Sequence, residues 1–185
     1  MRLSDFIISR EEEILQEWEN FARTMAPAAL SMSDKELRNH AVVMLRGIAD
    51  DLRTPQTSEQ ELAKSHGQEP GSAQTLAGEQ HGISRQESRF SIEQLVAEYR
   101  ALRASVLRLW GRETPHADAS DIADIARFNE AIDQLLAASV LSFAKATRDA
   151  MDAEKRRKDE FLAMLAPTWP RWSTTCWTCR ALRGA

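Results

Sequence analysis

Few residues of this 185-residue chain could carry chemistry, and the most conspicuous pair is Cys176 and Cys179. The Cys-x-x-Cys spacing is typical of zinc ligands and of redox-active dithiols. A zinc site needs about four ligands, and no further cysteine or histidine lies near this pair. A thioredoxin-like dithiol needs a βαβ setting, which the surrounding sequence lacks. We therefore expect no metal site and no redox chemistry, and the sequence shows no catalytic constellation.

The histidines are the next candidates, at His40, His66, His81 and His116. His81 is the best placed of them to ligate haem if the chain folds as a helical bundle. A lone histidine, however, is more often hydrogen-bonded or at the surface than an axial ligand. We expect no haem and no other cofactor, and a Soret band would contradict this expectation.

A polar cluster on one predicted helix is formed by Glu98, Arg100 and Arg103. Glu98 faces an apolar residue at i+4 rather than a basic one, so its partner is expected on a neighbouring helix. Glu130 and Asp133 are the candidates for such pairing. Interhelical ion pairs that fix the packing are the favoured interpretation, and ligand binding is the alternative.

Composition limits the classes of protein that fit. The chain is 43% hydrophobic and 28% charged, which suits one soluble domain, or one domain plus an extension. A net charge of −4 gives no basic face, so nucleic acid is a poor candidate partner. No apolar run approaches the roughly 18 residues of a membrane span, and no signal peptide opens the sequence. We expect a cytoplasmic location.

The elements that must position these residues are all helices. The apolar periodicity predicts an all-α fold with five helices before residue 116, over about 4–25, 33–54, 58–66, 72–88 and 91–114. Capping boxes are predicted at Ser33, Ser58 and Ser91. Gly78 and Gly82 interrupt the fourth helix, at about 1 kcal/mol each relative to alanine, and allow either close helix approach or a bend.

A last helix is predicted from Asp118 or Ser120 to Pro167, roughly 70 Å long at 1.5 Å per residue. Its first half is expected to pack on the body. Its second half has the alternating three- and four-residue steps of a coiled-coil seam. The seam is Leu136, Val140, Phe143, Thr147, Ala150, Glu154, Arg157, Phe161 and Met164. A solvated helix is the alternative to a dimeric signalling helix, in which polar Glu154 and Arg157 would permit a shift of register or rotation.

The body carries several runs that resemble the RsbRD N-terminal domain family. These are His81-Gly82-x-x-Arg85, Phe-Ser-Ile-Glu-Gln-Leu-Val-Ala-Glu-Tyr-Arg-Ala-Leu-Arg at 90–103, and Arg-Phe-Asn-Glu-Ala-Ile-Asp at 127–133. The resemblance covers roughly 3–150. It implies a globin-like helical bundle without haem, found at the front of stressosome proteins of RsbR type and of some sensor histidine kinases.

The run Asp-Glu-Phe-Leu-Ala-Met-Leu-Ala at 159–166 resembles the start of the phosphoacceptor helix of sensor histidine kinases. The resemblance places Pro167 where that family has its phosphorylated histidine, so we expect no catalytic residue and no labelling by ATP. Together with the coiled-coil seam, it indicates a signalling helix whose residues are Glu154, Arg157, Asp159, Glu160, Phe161, Leu162 and Met164.

The tail from Pro167 onward contains both cysteines and three of the five tryptophans. If its codons are read from the third base, Trp169-Pro170 forces alanine and Cys176-Trp177 forces leucine. The remaining codons are compatible with Leu-Val-Asp-Asp-Leu-Leu-Asp-Val-Ser-Arg, which resembles the second helix of a kinase dimerisation domain. We interpret 167–185 as a frame-shifted tail after a deletion, 1–150 as the sensory bundle and 151–166 as the signalling segment.

The resulting hypothesis is the sensory and dimerisation region of a cytoplasmic two-component histidine kinase. It would form a homodimer through its C-terminal helix and reach a response regulator through the parent kinase. One alternative is an RsbR-type, stressosome-like scaffold. Another is a ligand- or gas-sensing globin-like domain.

Overall fold

The computed structural model describes residues 1–25, 34–66 and 73–165, and every regular element in those ranges is an α-helix. The predicted all-α class with a long last helix is confirmed. The helices are α1 (Leu3–Ser9), α2 (Glu11–Ala22), α3 (Asp34–Arg53), α4 (Ser58–Ser65), α5 (Ala73–Glu87), α6 (Ile92–Glu113) and α7 (Ala119–Leu165). The chain forms two compact units, Met1–Thr147 and Arg148–Ala185.

Local capping explains where several helices begin. The Ser91 side chain accepts from the Gln94 backbone N–H and the Gln94 side chain accepts from the Ser91 N–H, as predicted for α6. In α4 the capping box is formed by Thr57 and Gln60, one residue before the predicted pair Ser58 and Glu61. The predicted cap at Ser33 lies outside the described residues.

The predicted first helix over 4–25 is two helices, because the chain breaks at Arg10 (φ −114°, ψ 17°). The break lets two short apolar faces reach the same core, one with Phe6 and Ile7 and the other with Ile14 and Trp18. Tertiary burial therefore outweighs the continuous local helical pattern here.

The core of the first unit is one apolar cluster with large side chains from α1, α2, α3, α6 and α7. Helix α5 differs, since the buried side chains of residues 75–87 are those of Ala77, His81 and Arg85. A Cβ at Gly78 would lie 2.9 Å from Leu135 O, and one at Gly82 would lie 2.2 Å from Ser139 O. The two glycines thus permit close approach of α5 to the backbone of α7.

The described part of the second unit is the helical segment 148–165. Lys158 Nζ lies 2.7 Å from Glu154 at i,i+4, a pair that stabilises an exposed helix by a few tenths of a kcal/mol. The exposed large apolar side chains of this segment are Met151, Phe161, Leu162, Met164 and Leu165. No helix within the described ranges is both long and apolar enough to cross a membrane.

Candidate functional site: a buried His-Glu-Arg cluster

Three charged or titratable side chains meet in the interior of the first unit. Arg85 Nε on α5 lies 3.0 and 2.9 Å from the two carboxylate oxygens of Glu98 on α6. His81, one turn before Arg85, places Nε2 3.2 Å from Glu98 Oε2. All three residues are at most 1% exposed. A buried carboxylate needs such pairing, because an isolated charge in the interior is strongly unfavourable.

Electrostatics assigns a protonation state to each member of the cluster. Burial alone would raise the pKa of Glu98, but the hydrogen bond from His81 and the guanidinium of Arg85 outweigh it and hold that pKa below its usual value. Burial lowers the pKa of His81, and Glu98 opposes this only in part. The cluster therefore contains one ion pair, Arg85 with Glu98, and a neutral imidazole that donates from Nε2.

The guanidinium of Arg85 is also enclosed by aromatic rings. Its Cζ lies 5.0 Å from the ring centre of Phe90 and 5.8 Å from that of Trp18, within the range of cation–π attraction. Phe90 reaches this position because Arg89 takes a left-handed conformation (φ 62°) after α5. The Phe90 N–H then bonds Arg85 O and the Arg89 N–H bonds Gln86 O, the pattern of a Schellman motif.

A second histidine adjoins the cluster. His40 on α3 lies edge-on to His81, with ring centres 5.8 Å apart and planes at 82°. On another side of His81 lies the Tyr99 ring, with the two ring centres 5.5 Å apart. The Nδ1 atoms of both His40 and His81 are buried and have no hydrogen-bond partner. Burial, His81 and Arg85 together lower the pKa of His40, so both rings are neutral at neutral pH.

A hydroxyl chain joins the neighbourhood of the cluster to α7. Ser139 Oγ donates to Gly78 O at 2.6 Å and lies 2.6 Å from the Tyr99 hydroxyl. Because the single Ser139 proton is used on Gly78 O, Tyr99 supplies its own proton, and its two acceptors are Ser139 Oγ and, at 3.1 Å, Met44 Sδ. Burial raises the pKa of Tyr99, which keeps this hydroxyl protonated. Helices α5, α6 and α7 are thereby linked by one sequence of hydrogen bonds.

Residues 12–158 match the family model of the RsbT co-antagonist protein rsbRD N-terminal domain. The chain belongs to this family. The match includes every residue of the buried cluster, and it agrees with the resemblance predicted from residues 3–150. No curated protein and no solved structure is detectably similar to the chain.

The other polar residues selected from the sequence of this RsbRD N-terminal domain lie apart from the cluster. Arg103 on α6 pairs with Asp133 on α7, where both are partly or largely exposed. Arg100 is exposed and lines a groove between α2 and α6, together with Glu17, Phe21 and Arg108. The structure thus brings Arg103 and Asp133 together but places Glu98 in a different, buried environment.

The remaining predicted positions fall into two groups. Glu154, Arg157, Asp159, Glu160, Phe161, Leu162 and Met164 are exposed on the helical segment of the second unit. Pro167, Cys176 and Cys179 lie outside the described residues. Among the residues that the structure describes, no group of three or more His, Cys, Asp or Glu side chains is arranged to hold a metal ion.

Sequence reasoning about the domain missed the partners of Glu98. His81 and Arg85 were recognised in the run His81-Gly82-x-x-Arg85, yet they were not connected to Glu98. A signal was available: the two side chains are at i,i+4 and share a face with Ala77 and Gly78 in a helix with no large apolar stripe. A polar stripe that must be buried requires a countercharge, and Glu98 lies in the second turn of the next helix.

Proposed function

We propose that this chain is the sensory and dimerisation region of a signalling protein, in the setting of a histidine kinase. The observation that carries the proposal is the course of α7, a single helix over Ala119–Leu165. It begins in the RsbRD N-terminal domain and ends in the run Phe161-Leu162-Ala163, which resembles the start of a phosphoacceptor helix. A helix common to a sensory domain and a kinase motif is a direct route for a signal.

The proposed mechanism is a change in how two copies of α7 pair. Leu136, Val140 and Phe143 are half-buried in the bundle. Farther along, the seam consists of exposed residues, with polar Glu154 and Arg157 among them. Polar seam positions weaken a coiled coil and set its register. A change in the bundle would then favour one of two registers, which the kinase would read at its histidine.

Substitution of seam and off-seam residues tests the proposed dimer. Phe161→Glu places a charge in the seam, and we expect it to weaken dimerisation by on the order of 10- to 100-fold, as for an unpaired buried charge worth a few kcal/mol. Leu162→Glu is the matched control, since Leu162 is equally exposed but off the seam. Light scattering across a concentration series measures both, and equal effects of the two variants would contradict the seam.

The kinase setting has its own test. The tail after Ala166 is compatible with a kinase dimerisation helix in a shifted frame, so the proposal includes an out-of-frame junction at that point. Sequencing of the locus is expected to find an ATP-binding domain downstream in the shifted frame. The proposal also includes a response regulator as the partner of the parent kinase and a cytoplasmic location for that kinase. Downstream DNA without that domain would remove the kinase setting and leave the sensory role.

An RsbR-type scaffold is the second candidate, favoured by the family description, which names an RsbT co-antagonist protein. Such a protein would act by binding partners through helical faces and by assembling into a large particle. Size-exclusion chromatography with light scattering separates the two candidates. A simple dimer favours kinase input, and an assembly of many copies favours the scaffold.

A further inference from the structure

Helix α5 packs on the other helices of the first unit through small and polar side chains. Its two large apolar side chains in the described range 75–87 point outward, with Leu76 53% and Ile83 40% exposed. Its buried side chains are small or polar, and the largest are His81 and Arg85. Apolar burial normally supplies most of the attachment of a helix to its core. Helix α5 instead depends on the ion pair with Glu98 and on backbone contacts at Gly78 and Gly82.

The groups around His81 leave no place for a further positive charge. On its own helix it has Arg85, α6 contributes Glu98 and Tyr99, and α3 contributes His40. The side chain that approaches from α2 is the uncharged indole of Trp18, with ring centres 6.5 Å apart. Arg85 already neutralises Glu98. A proton on His81, which is 1% exposed, would therefore place an uncompensated charge in a dry interior. His40 is only partly buried, but a proton there would lie beside the same ring and would be repelled by Arg85.

We propose that the His40–His81 pair makes the docking of α5 on α7 sensitive to acid. Protonation of these imidazoles drives α5 away from the core, because the charged rings become hydrated once α5 is released. The movement breaks the contact of Gly78 and Gly82 with α7 and the hydrogen bond from Ser139 to Gly78. The bundle then has two states of α5, docked at neutral pH and released at acid pH.

The direction and the size of this pH effect follow from the linkage between proton binding and docking. The pKa values of both histidines are lowered in the docked state and return to about 6.5 when the rings are hydrated. The released state therefore binds more protons below about pH 6.5, and docking is lost as pH falls. Between pH 7.5 and 5.5 the ratio of released to docked states therefore rises, by at most about tenfold for each histidine and about 100-fold for the pair.

Acid release of α5 is a property of the bundle alone. Its use as the input signal rests on the proposed function, because α7 must then pass the change to a dimer. The acid release of α5 and the proposed dimer can fail separately. Hydrogen exchange in α5 tests the release, whereas light scattering of the seam variants tests the dimer.

The test is amide hydrogen exchange of the full chain at pH 7.5 and 5.5, expressed as protection factors to remove the intrinsic pH effect. We expect a loss of protection, of up to about 100-fold, in residues 77–87 of α5 and 135–142 of α7, with α1 and α2 retaining theirs. The double variant His40→Gln/His81→Gln is expected to lose less than about threefold, since neither glutamine titrates. The control His66→Gln/His116→Gln removes the two exposed histidines and should match the unmodified chain.

An equal pH response in the His40→Gln/His81→Gln variant, or a uniform loss across all helices of the unmodified chain, would overturn the proposal. If that variant does not fold, NMR titration of the histidine ring protons in the unmodified chain decides. The two rings that remain in the His66→Gln/His116→Gln control, His40 and His81, should titrate below the range of a hydrated imidazole. Ordinary titration of both remaining rings would overturn the proposal.

Discussion

At the scale of single residues, Glu98 determines whether the interior is neutral. Its carboxylate accepts hydrogen bonds from Arg85 and His81. All three residues are at most 1% exposed, so water does not solvate their charges. Removal of one member of a buried pair leaves the other charge uncompensated and costs about 3–5 kcal/mol. Neutralising Glu98 should therefore be far more harmful than neutralising a surface carboxylate.

The prediction is that Glu98→Gln lowers the free energy of unfolding by about 3–5 kcal/mol at pH 7, measured by urea denaturation. Glu87→Gln is the control, because Glu87 is exposed at the end of α5, and a change within about 0.5 kcal/mol is expected. A Glu98→Gln variant as stable as this control would show that the ion pair is not required.

The sequence identified Glu98 as informative but not its partners. Helical periodicity reports which residues share a face of one helix, and it contains no information on which two helices meet. Glu130 and Asp133 could be proposed in advance as partners of the polar residues of α6, because they lie on the next long, regular helix. The partner of Arg85 was harder to find, since α5 lacks the apolar period that would orient the helix, and only its polar stripe pointed to a countercharge.

At the scale of elements, the contact of α5 with α7 is set by backbone proximity. A Cβ at Gly82 would lie 2.2 Å from the carbonyl oxygen of Ser139, which is backbone and cannot rotate away. Gly111, within α6, has no atom within 4 Å of the same position. The same substitution at the two sites should therefore have opposite signs.

We expect Gly82→Ala to lower the thermal midpoint and the free energy of unfolding by more than about 2 kcal/mol, the range of overpacked helix contacts. Gly111→Ala should instead stabilise by about 0.5–1 kcal/mol, because alanine is the better helix former. Calorimetry of both variants measures the difference. Stabilisation by both substitutions would contradict the close approach of α5 to α7.

The limits of the elements were predictable where short-range chemistry decides them. The start of α6 follows from Ser91 and Gln94, and the end of α3 follows from Thr54-Pro55, which confirms both predictions. The break at Arg10 was not predictable, because its cause lies in residues distant in sequence. The Leu3 N–H donates to Asp124 of α7 at 3.2 Å and the Trp110 indole donates to Met1 O at 3.0 Å, so α1 is held separately from α2.

At the scale of the whole molecule, α7 belongs to two compact units. The length of this helix was predicted correctly, because neither glycine nor proline interrupts the sequence between Asp118 and Pro167. The last buried residues of the first unit are Leu135, Ala138 and Ser139, and Phe143 packs partly on the core. No described residue after Thr147 is buried. The bundle therefore has a complete core without the second unit.

This division predicts that a chain ending after Thr147 still folds. It should unfold cooperatively with a free energy within about 1 kcal/mol of the full chain, since none of the described residues that are removed is buried. The same truncated chain should be monomeric under conditions where the full chain is a dimer, because the exposed seam residues from Ala150 to Met164 are absent. Circular dichroism during urea denaturation and light scattering measure the two properties.

A shorter chain that ends after Asp133 is the matched control, because it removes Leu135, Ala138 and the hydroxyl of Ser139. Deletion of a buried leucine alone costs about 2–5 kcal/mol, and α5 would also lose the surface on which Gly78 and Gly82 rest. We expect this control not to fold. A dimer formed by the chain ending after Thr147 would place dimerisation in the bundle rather than in the distal seam. A signal would then have to pass between bundles before it reached the helical segment 148–165.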